Sequence, residues 1–173
     1  INNIINIFRA YTNGYFPMGI NKNSPEIEWV IPGTRGIIPI GKLHCSKSLR
    51  KIIKKNIFEI SFNNNFEEVI KNCSNREQTW INSTIINLFN DLHVLGYAHS
   101  VEVKKDERLV GGLYGLSLGN IFFAESMFSI IPNTSKLALI AMMAKLNYGG
   151  FKIFDTQFPS KHLSSMGGIA ISQ

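Results

Sequence analysis

The sequence predicts an α+β fold in which a mixed, mostly antiparallel sheet is flanked by helices, with a small N-terminal appendage. Three observations support this prediction. The chain has 173 residues, of which 45% are hydrophobic and 17% charged, so it can bury a core without disulfides or metals. Three strand patterns follow one another in the second half of the chain, separated by short turns. Helical patterns separate the other strands, so strands and helices do not alternate as they do in a doubly wound sheet.

Residues 1–34 differ from the rest of the chain in their density of turn-forming residues. A short helical pattern is followed by a stretch that is interrupted at Asn13-Gly14, Pro17, Gly19, Pro25 and Pro32-Gly33. Such residues end helices and strands. We therefore expect residues 1–34 to form a small segment that packs on a main domain of residues 35–173.

The first half of the main domain is predicted to contain two strands and three helices. Residues 35–40 form a short strand, which we place at a sheet edge because Pro39 cannot donate a ladder hydrogen bond. A helix over 46–55 has Leu49, Ile52 and Ile53 on its inward face. The remaining elements are a strand over 58–62 and helices over 66–73 and 83–95.

The second half of the domain is predicted to begin with three meandering strands, over 98–104, 109–118 and 121–126. Gly119-Asn120 is a hairpin turn signal. A helix capped by Asn133 or Thr134 then runs to about residue 148, and a strand follows over 151–157. This order matches that of the N-acetyltransferase (GNAT) superfold, an analogy of fold that does not fix the chemistry.

The positive charge of the chain is concentrated in one short segment. The formal net charge is +6, and residues 41–55 alone carry six basic residues and no acid. These residues are Lys42, Lys47, Arg50, Lys51, Lys54 and Lys55. Four of them, Lys47, Arg50, Lys51 and Lys54, share one face of the predicted helix. This face would suit a phosphate backbone, although a solvated lysine face is the commoner explanation of such a pattern.

Several classes of protein find little support in the sequence. Cys45 and Cys73 form no CxxC pair and lie near no histidine pair, so we expect no metal site and a reducing, cytoplasmic environment. The longest uncharged run, between Arg108 and Glu125, has 16 residues, which is too short to span a bilayer. No GxSxG motif and no Cys–His arrangement supports covalent catalysis. We also expect a monomer that does not bind membranes.

The segment that would hold coenzyme A in a GNAT enzyme has the wrong composition for that ligand. A pyrophosphate cradle is built from glycines and backbone N–H groups where a strand meets the next helix. Here that connection, residues 128–134, has no glycine and no basic residue, and Pro132 removes one N–H. Either the acyl donor is not coenzyme A, or the fold analogy is wrong.

A few polar residues in apolar surroundings are candidates for chemistry. Asp155 and Gln157 share one side of a predicted strand. They are either a catalytic pair or part of a strand end that emerges into solvent. Glu125 ends an apolar run, where a carboxylate needs a partner: either a cationic amine of the substrate or a salt bridge, for example with Lys136. Trp80 could stack on a base, although such a residue is more often part of a core.

A pliable apolar pocket is also suggested by methionines near these candidates. Met127, Met142 and Met143, with Phe122, could line such a pocket. Methionines at helical spacing are more often core residues, so this second interpretation stays open.

Several blocks of the sequence resemble the leucyl/phenylalanyl-tRNA–protein transferase family. The N-terminal ones are Phe16-Pro17-Met18, Trp29, Pro32 and residues 44–49. The next are residues 79–82, Leu92-His93 with Gly96, and residues 98–102. The blocks that carry the resemblance best are residues 109–115, 125–129 and 154–157. Together they run in order from about Phe16 to Gly168.

This resemblance implies a reaction and a set of partners. Members of the family move Leu, Phe or Met from an aminoacyl-tRNA to a protein whose N-terminal residue is Lys or Arg. The modified protein is thereby marked for degradation by the N-end rule. The family has a GNAT-like domain and uses neither coenzyme A nor a metal, so the resemblance implies no cofactor. It agrees with the composition of residues 128–134.

The resemblance also assigns roles to individual residues. Glu125 matches the carboxylate that engages the donor aminoacyl group, and Asp155 and Gln157 match the catalytic pair. Trp80 falls near the terminal adenosine. The pocket for the amino-acid side chain is matched by Leu113, Phe122, Met127 and Met142, and the basic cluster that binds tRNA by Lys47, Arg50, Lys51, Lys54 and Lys55. Leu113 and Met142 replace residues that are often Met and Phe, which could alter the side-chain preference.

Three other functions are compatible with parts of the sequence. A related aminoacyl-tRNA-dependent ligase that extends cell-wall peptides shares the donor and the fold, and differs in its acceptor. A coenzyme A-dependent acetyltransferase is disfavoured by residues 128–134. A non-catalytic RNA-binding module would bind tRNA whether or not it is charged.

Overall fold

The computed structural model describes residues 2–172 and contains six helices and nine strands within that range. The first five elements are α1 (Asn2–Thr12), β1 (Phe16–Gly19), β2 (Ile27–Val30), β3 (Thr34–Pro39) and α2 (Lys47–Lys54). They are followed by β4 (Glu59–Phe62), α3 (Phe66–Ser74), α4 (Ser83–Val94), β5 (Ala98–Lys105), β6 (Arg108–Leu118) and β7 (Ile121–Ser129). The last elements are α5 (Thr134–Tyr148), β8 (Ile153–Gln157), α6 (Lys161–Ser164) and β9 (Ile169–Ser172). The predicted α+β class is confirmed, and none of the described helices has the length and apolarity needed to cross a membrane.

The N-terminal segment contains a small two-stranded sheet that the sequence analysis did not predict. β1 and β2 pair antiparallel, with Phe16 opposite Val30. The loop after β1 is closed by the Asn21 side chain, whose Oδ1 accepts the backbone N–H groups of Asn23 and Ser24. Asn82 of the main domain donates to the backbone carbonyl of Ser24 at 2.7 Å. The loop between β1 and β2 is thereby hydrogen-bonded to the residue that caps α4.

The main sheet has seven strands in the order β4-β5-β6-β7-β8-β3-β9. β7 and β8 run parallel, joined across α5, and the other described pairs are antiparallel. The prediction that residues 35–40 form an edge strand is wrong, because β9 pairs with Thr34–Ile37 of β3 and occupies the edge itself. That pairing stops before Pro39, so the missing N–H of Pro39 costs no hydrogen bond to β9.

Hydrophobic clusters lie on both faces of the main sheet. Side chains alternate along β6, so Tyr114 belongs to the cluster beneath α3 and α4, and Leu113 belongs to the cluster beneath α5. Tyr11 of α1 enters the first cluster. Leu49 of α2 enters the second, whereas Ile53 is 45% exposed, so the prediction that Ile53 faces inward is wrong.

Two irregularities in strand pairing lie at neighbouring strands of the sheet. Between β6 and β7, Tyr114 pairs with Ser126 and Gly115 with Ala124, so Glu125 is an extra residue on β7. Between β3 and β8, Gly36 pairs with Gln157 and Ile37 with Asp155, which makes Thr156 an extra residue on β8. Such bulges bend a strand and redirect its side chains, and they are frequent beside active sites.

Candidate active site

The three candidate polar residues meet at these two bulges. Glu125 on β7 and Gln157 on β8 approach each other, and the Gln157 side-chain amide donates to Glu125 Oε1 at 3.4 Å. Asp155 and Gln157 are each 6% exposed and Glu125 is 9% exposed. The alternative that Asp155 and Gln157 emerge into solvent at a strand end is therefore wrong. The partner of Glu125 is also not a lysine, because Glu125 Oε1 accepts the Tyr11 hydroxyl at 2.8 Å.

Asp155 is held from two sides. The Nε of Arg35 donates to both carboxylate oxygens, at 2.8 Å to Oδ2 and 3.1 Å to Oδ1. The backbone N–H of Gln157 donates to Oδ1 at 2.8 Å. Gln157 has a φ of 56°, a left-handed conformation that costs free energy for a residue other than glycine. The bond to Asp155 stabilises this conformation, and so fixes where the Gln157 side chain begins.

Burial dominates the electrostatics of the two carboxyl groups. It raises the pKa of Glu125 from 4.5 to about 8; the hydrogen bond from Tyr11 opposes this rise and the charge of Asp155 adds to it. Burial also raises the pKa of Asp155, against which the Gln157 N–H and the Arg35 guanidinium act. At neutral pH the free site therefore holds a proton on Glu125, and a nearby cation would favour its ionised form.

A cavity of about 680 Å³ opens beside these residues. Leu113, Met127, Leu139 and Phe154 give it an apolar wall, while Trp80, Arg76, Glu125 and Gln157 contribute its polar or aromatic parts. Arg76 donates from Nη2 to the backbone carbonyl of Met127. The volume lies in the range of small-molecule sites.

Two of the residues predicted for the pocket lie behind its wall. Leu113, Met127 and Trp80 line the cavity, whereas Phe122 and Met142 do not and are almost fully buried. Phe122 stacks on Phe154, with ring centroids 5.6 Å apart. It supports a residue of the wall instead of contacting the cavity.

Sequence reasoning missed Tyr11 and Arg35, which complete the site. Tyr11 lies 114 positions from Glu125 along the chain, and nothing in its surroundings points to that partner. Arg35 did carry a signal, because it opens the apolar run 35–40 and a buried charge needs a partner. The same argument selected Glu125, which closes an apolar run.

Two side chains at the connection between β7 and α5, those of Ser129 and Thr134, make hydrogen bonds within the chain. The Ser129 hydroxyl oxygen accepts the Ser135 backbone N–H at 3.1 Å. The Thr134 side chain is buried and donates to the carbonyl of Val110 at 2.8 Å. One N–H of the first turn of α5 is therefore already occupied, which further disfavours a pyrophosphate cradle at this place.

The predicted basic cluster is solvent-exposed. Ser46 caps α2 by accepting the Leu49 N–H, and Leu49 anchors the helix to the core. The five cluster residues predicted to bind tRNA, Lys47, Arg50, Lys51, Lys54 and Lys55, are all exposed.

Two solved structures share this fold. The structure of FemX superposes with a TM-score of 0.60 at 12% sequence identity, over 97% of this chain and 66% of that chain, so this chain spans about two thirds of FemX. The DUF2156 domain of an Agrobacterium fabrum protein gives a TM-score of 0.50 at 10% identity, over 92% of this chain and 54% of that chain. At these identities the likeness concerns the fold alone.

Sequence comparison identifies the family. The family described as leucyl/phenylalanyl-tRNA protein transferase matches residues 37–173. A leucyl/phenylalanyl-tRNA–protein transferase from Cereibacter sphaeroides is 47% identical over 165 residues, 95% of this chain and 77% of its own length. One from Rhodospirillum rubrum is 46% identical over 171 residues, 96% of this chain and 80% of its own. The chain belongs to the leucyl/phenylalanyl-tRNA–protein transferase family, which confirms the family and the enzyme class predicted from the motifs.

Proposed function

We propose that this protein transfers Leu, Phe or Met from an aminoacyl-tRNA to the α-amine of proteins that begin with Lys or Arg. In the cytoplasm, the product would be marked for degradation by the N-end rule. Membership of the family supports the reaction class. The observation that carries the proposal is the junction of an apolar cavity with the buried Glu125 and Gln157, together with the hydrogen bond from the Gln157 backbone N–H to the buried Asp155.

In this proposal the donor occupies the cavity with its side chain against Leu113 and Met127 and its α-ammonium at Glu125. The ammonium would lower the pKa of Glu125, which burial places at about 8 in the free protein. Donor binding near neutral pH would then release a proton and leave an ion pair. This pairing keeps the donor's own amine protonated and therefore unable to act as a nucleophile. Trp80, at the cavity wall, would lie beside the terminal adenosine.

The chemistry is aminolysis of an ester: the C–N bond to the acceptor amine forms, the C–O bond to the ribose breaks, and the proton that the amine loses ends on the ribose oxygen, which leaves as a hydroxyl. An α-amine has a pKa of about 7.7–8.0, so an appreciable fraction is neutral near pH 7 and a strong base is not required. Holding the amine and the ester in attack geometry supplies much of the acceleration. Gln157, whose side chain reaches the cavity, would accept a hydrogen bond from the attacking amine.

Asp155 would act by orienting Gln157. Its carboxylate is directed at Arg35 and at the backbone N–H of Gln157, and these bonds use the oxygens that a direct base would offer to the amine. The contacts therefore favour the orienting role over direct proton abstraction.

The exposed basic face of α2 would bind the phosphate backbone of the tRNA. Residues 41–55 contain no acidic residue that would neutralise these charges. Each phosphate that the helix neutralises adds salt-sensitive affinity. This contact would give affinity without reading the base sequence.

The test is transfer of labelled Phe from charged tRNA to a peptide with N-terminal Arg. A peptide that differs only in having N-terminal Ala, and a reaction with acetyl-CoA as donor, serve as controls. Label on the Arg peptide alone supports donor, acceptor and reaction class together. Equal labelling of both peptides contradicts the acceptor assignment. Transfer from acetyl-CoA, or tRNA binding without any product, contradicts the reaction.

A further inference from the structure

Arg35 is a buried cation with an unusual set of partners. It is 5% exposed and lies on β3, next to β8 in the sheet. Its Nε makes both bonds to Asp155, and its Nη1 donates to the backbone carbonyl of Gly14 at 2.5 Å. The guanidinium carbon lies 5.7 Å from the centroid of the Phe16 ring. Arg35 thus connects the candidate catalytic strand to the loop that follows α1.

The hydrogen bonds form a chain that begins and ends near the C-terminus of α1. From the Gly14 carbonyl it runs through Arg35 to Asp155 and on to the Gln157 backbone N–H. From the Gln157 amide it continues through Glu125 to the hydroxyl of Tyr11. The links on the Arg35 side and the Tyr11–Glu125 bond are 3.1 Å or shorter, whereas the Gln157–Glu125 contact is 3.4 Å long and is the weakest link. A change at Arg35 therefore reaches Gln157 through a single intermediate, the carboxylate of Asp155.

Stability alone does not account for this arginine. A buried ion pair carries a desolvation penalty that only complete hydrogen bonding offsets. Within residues 2–172, the Nη2 of Arg35 has no hydrogen-bond partner, so the pairing is incomplete. A side chain selected only to fill this space would be apolar.

We propose that Arg35 is a positioning residue for the transfer reaction. By holding both oxygens of Asp155, it fixes the carboxylate that accepts the Gln157 backbone N–H. Gln157 is thereby kept in its left-handed conformation with its amide at the reacting amine. This inference rests on the proposed function for its catalytic consequence, and on the hydrogen bonds alone for its structural one.

The charged and titratable groups around Asp155 make pH a useful probe. Arg35 faces it from β3, Glu125 from β7, and Tyr11 from α1 through Glu125. Arg35 lowers the pKa of both carboxyl groups. Without Arg35 these values rise, Asp155 becomes protonated at a higher pH, and it accepts the Gln157 N–H less well. Activity lost in this way should return as pH is raised.

The kinetic test compares Arg35→Met and Arg35→Lys with the control Ile38→Ala. Ile38 lies on the same strand, is fully buried and belongs to the cluster beneath α5. It stands opposite Phe154 in the pairing of β3 with β8, whereas Ile37 stands opposite Asp155, so its truncation weakens β3 and removes no hydrogen bond from Asp155. Arg35→Met should lower kcat about 100-fold, the cost of misplacing a reacting group by roughly 1 Å, with KM for both substrates changed less than about threefold. Arg35→Lys keeps the charge, should fold even if Arg35→Met does not, and should lose about tenfold. Ile38→Ala should lower Tm and keep kcat.

A double-mutant cycle with Asp155→Asn tests whether Arg35 acts through Asp155. In that background Arg35→Met should change kcat by less than about threefold. The acid limb of the rate–pH profile should move to higher pH in Arg35→Met, and Ile38→Ala should leave it in place. Retention of wild-type kcat by both Arg35 variants, or full additivity in the cycle, would overturn the proposal.

A second readout separates this inference from the proposed function. Hydrogen exchange of the Gln157 backbone amide needs no substrate. Arg35→Met should speed this exchange. Ile38→Ala should not change it more than it changes the exchange of other amides. If the wild-type protein shows no transfer, the proposed function fails, and the exchange rate still decides whether Arg35 fixes Gln157. An unchanged exchange rate in Arg35→Met overturns the positioning role.

Discussion

Replacing Glu125 by glutamine keeps the shape of the side chain and removes its ionisable carboxyl. Burial raises the pKa of Glu125 from 4.5 to about 8 in the folded protein, so the folded state binds this proton more tightly than the unfolded chain does. The resulting contribution to the free energy of unfolding is fully present below about pH 4.5 and is lost as pH rises through about 8. The Glu125→Gln variant lacks this pH-dependent contribution.

The size of the effect follows from the two pKa values. At 1.36 kcal/mol per pH unit, the interval between 4.5 and about 8 corresponds to roughly 5 kcal/mol. The free energy of unfolding of the variant should therefore rise, relative to that of the wild type, by about 1.4 kcal/mol for each pH unit in this window. Because Tyr11 can donate equally to an amide oxygen, its hydrogen bond to position 125 is kept.

The assay is urea unfolding of both proteins at several pH values between about 5 and 9, a range that covers most of the interval between the two pKa values. Taking the difference between the two proteins removes the contributions of the titrating groups that do not interact with Glu125. The difference in the free energy of unfolding should grow with pH up to about 8 and level off above that value, and the variant should lose donor binding. A difference that is constant with pH would refute the reasoning, because Glu125 would then already be ionised in the free protein.

Three further predictions concern the pocket, the basic helix and the bulge on β7. Leu-tRNA should be used at least about tenfold better than Ile-tRNA, measured as kcat/KM, since β-branched side chains are stiff at χ1; equal use would contradict the pocket assignment. Lys54→Ala should reduce the slope of log affinity for tRNA against log salt concentration by about 1. Lys22 is an exposed lysine outside the cluster, so Lys22→Ala should leave the slope unchanged. Equal slopes for the two variants would mean that the basic face of α2 is only solvated and does not bind tRNA. A Cβ at Gly115 would lie 2.2 Å from the Phe123 carbonyl oxygen, so Gly115→Ala should cost at least about 2 kcal/mol in urea unfolding. Gly33→Ala, where nothing lies within 4 Å, is the control, and similar stability of the two variants would mean that the bulge accommodates a side chain.

The regular elements of the main domain follow from patterns in the sequence. The three meandering strands and the long helix before β8 lie within a few residues of their predicted bounds, because apolar alternation and glycine punctuation specify them locally. β1 and β2 escaped prediction because they are four-residue strands with Pro17 and Gly19 among them. β9 lies in the tail for which no prediction was possible, and its pairing also decides that β3 is not at the edge.

The candidate site was predictable where a residue conflicts with its own surroundings. Glu125 at the end of an apolar run and the polar pair Asp155 and Gln157 in an apolar strand are such conflicts, and the structure brings all three together. The bulges that aim them depend on pairing between distant strands and leave no local signal. Tyr11 reaches the site only because α1 folds over the sheet, so no pattern near position 11 indicates its role.

In the proposed mechanism Asp155 serves the transfer step and not the binding of tRNA. Single-turnover formation of the new peptide bond, with aminoacyl-tRNA bound at saturation to wild type or to Asp155→Ala, separates these two roles. The variant should bind tRNA with nearly the same affinity and transfer at a rate reduced by about 100-fold or more. A near-wild-type rate in Asp155→Ala, or loss of tRNA affinity equal to the loss of rate, would contradict this mechanism.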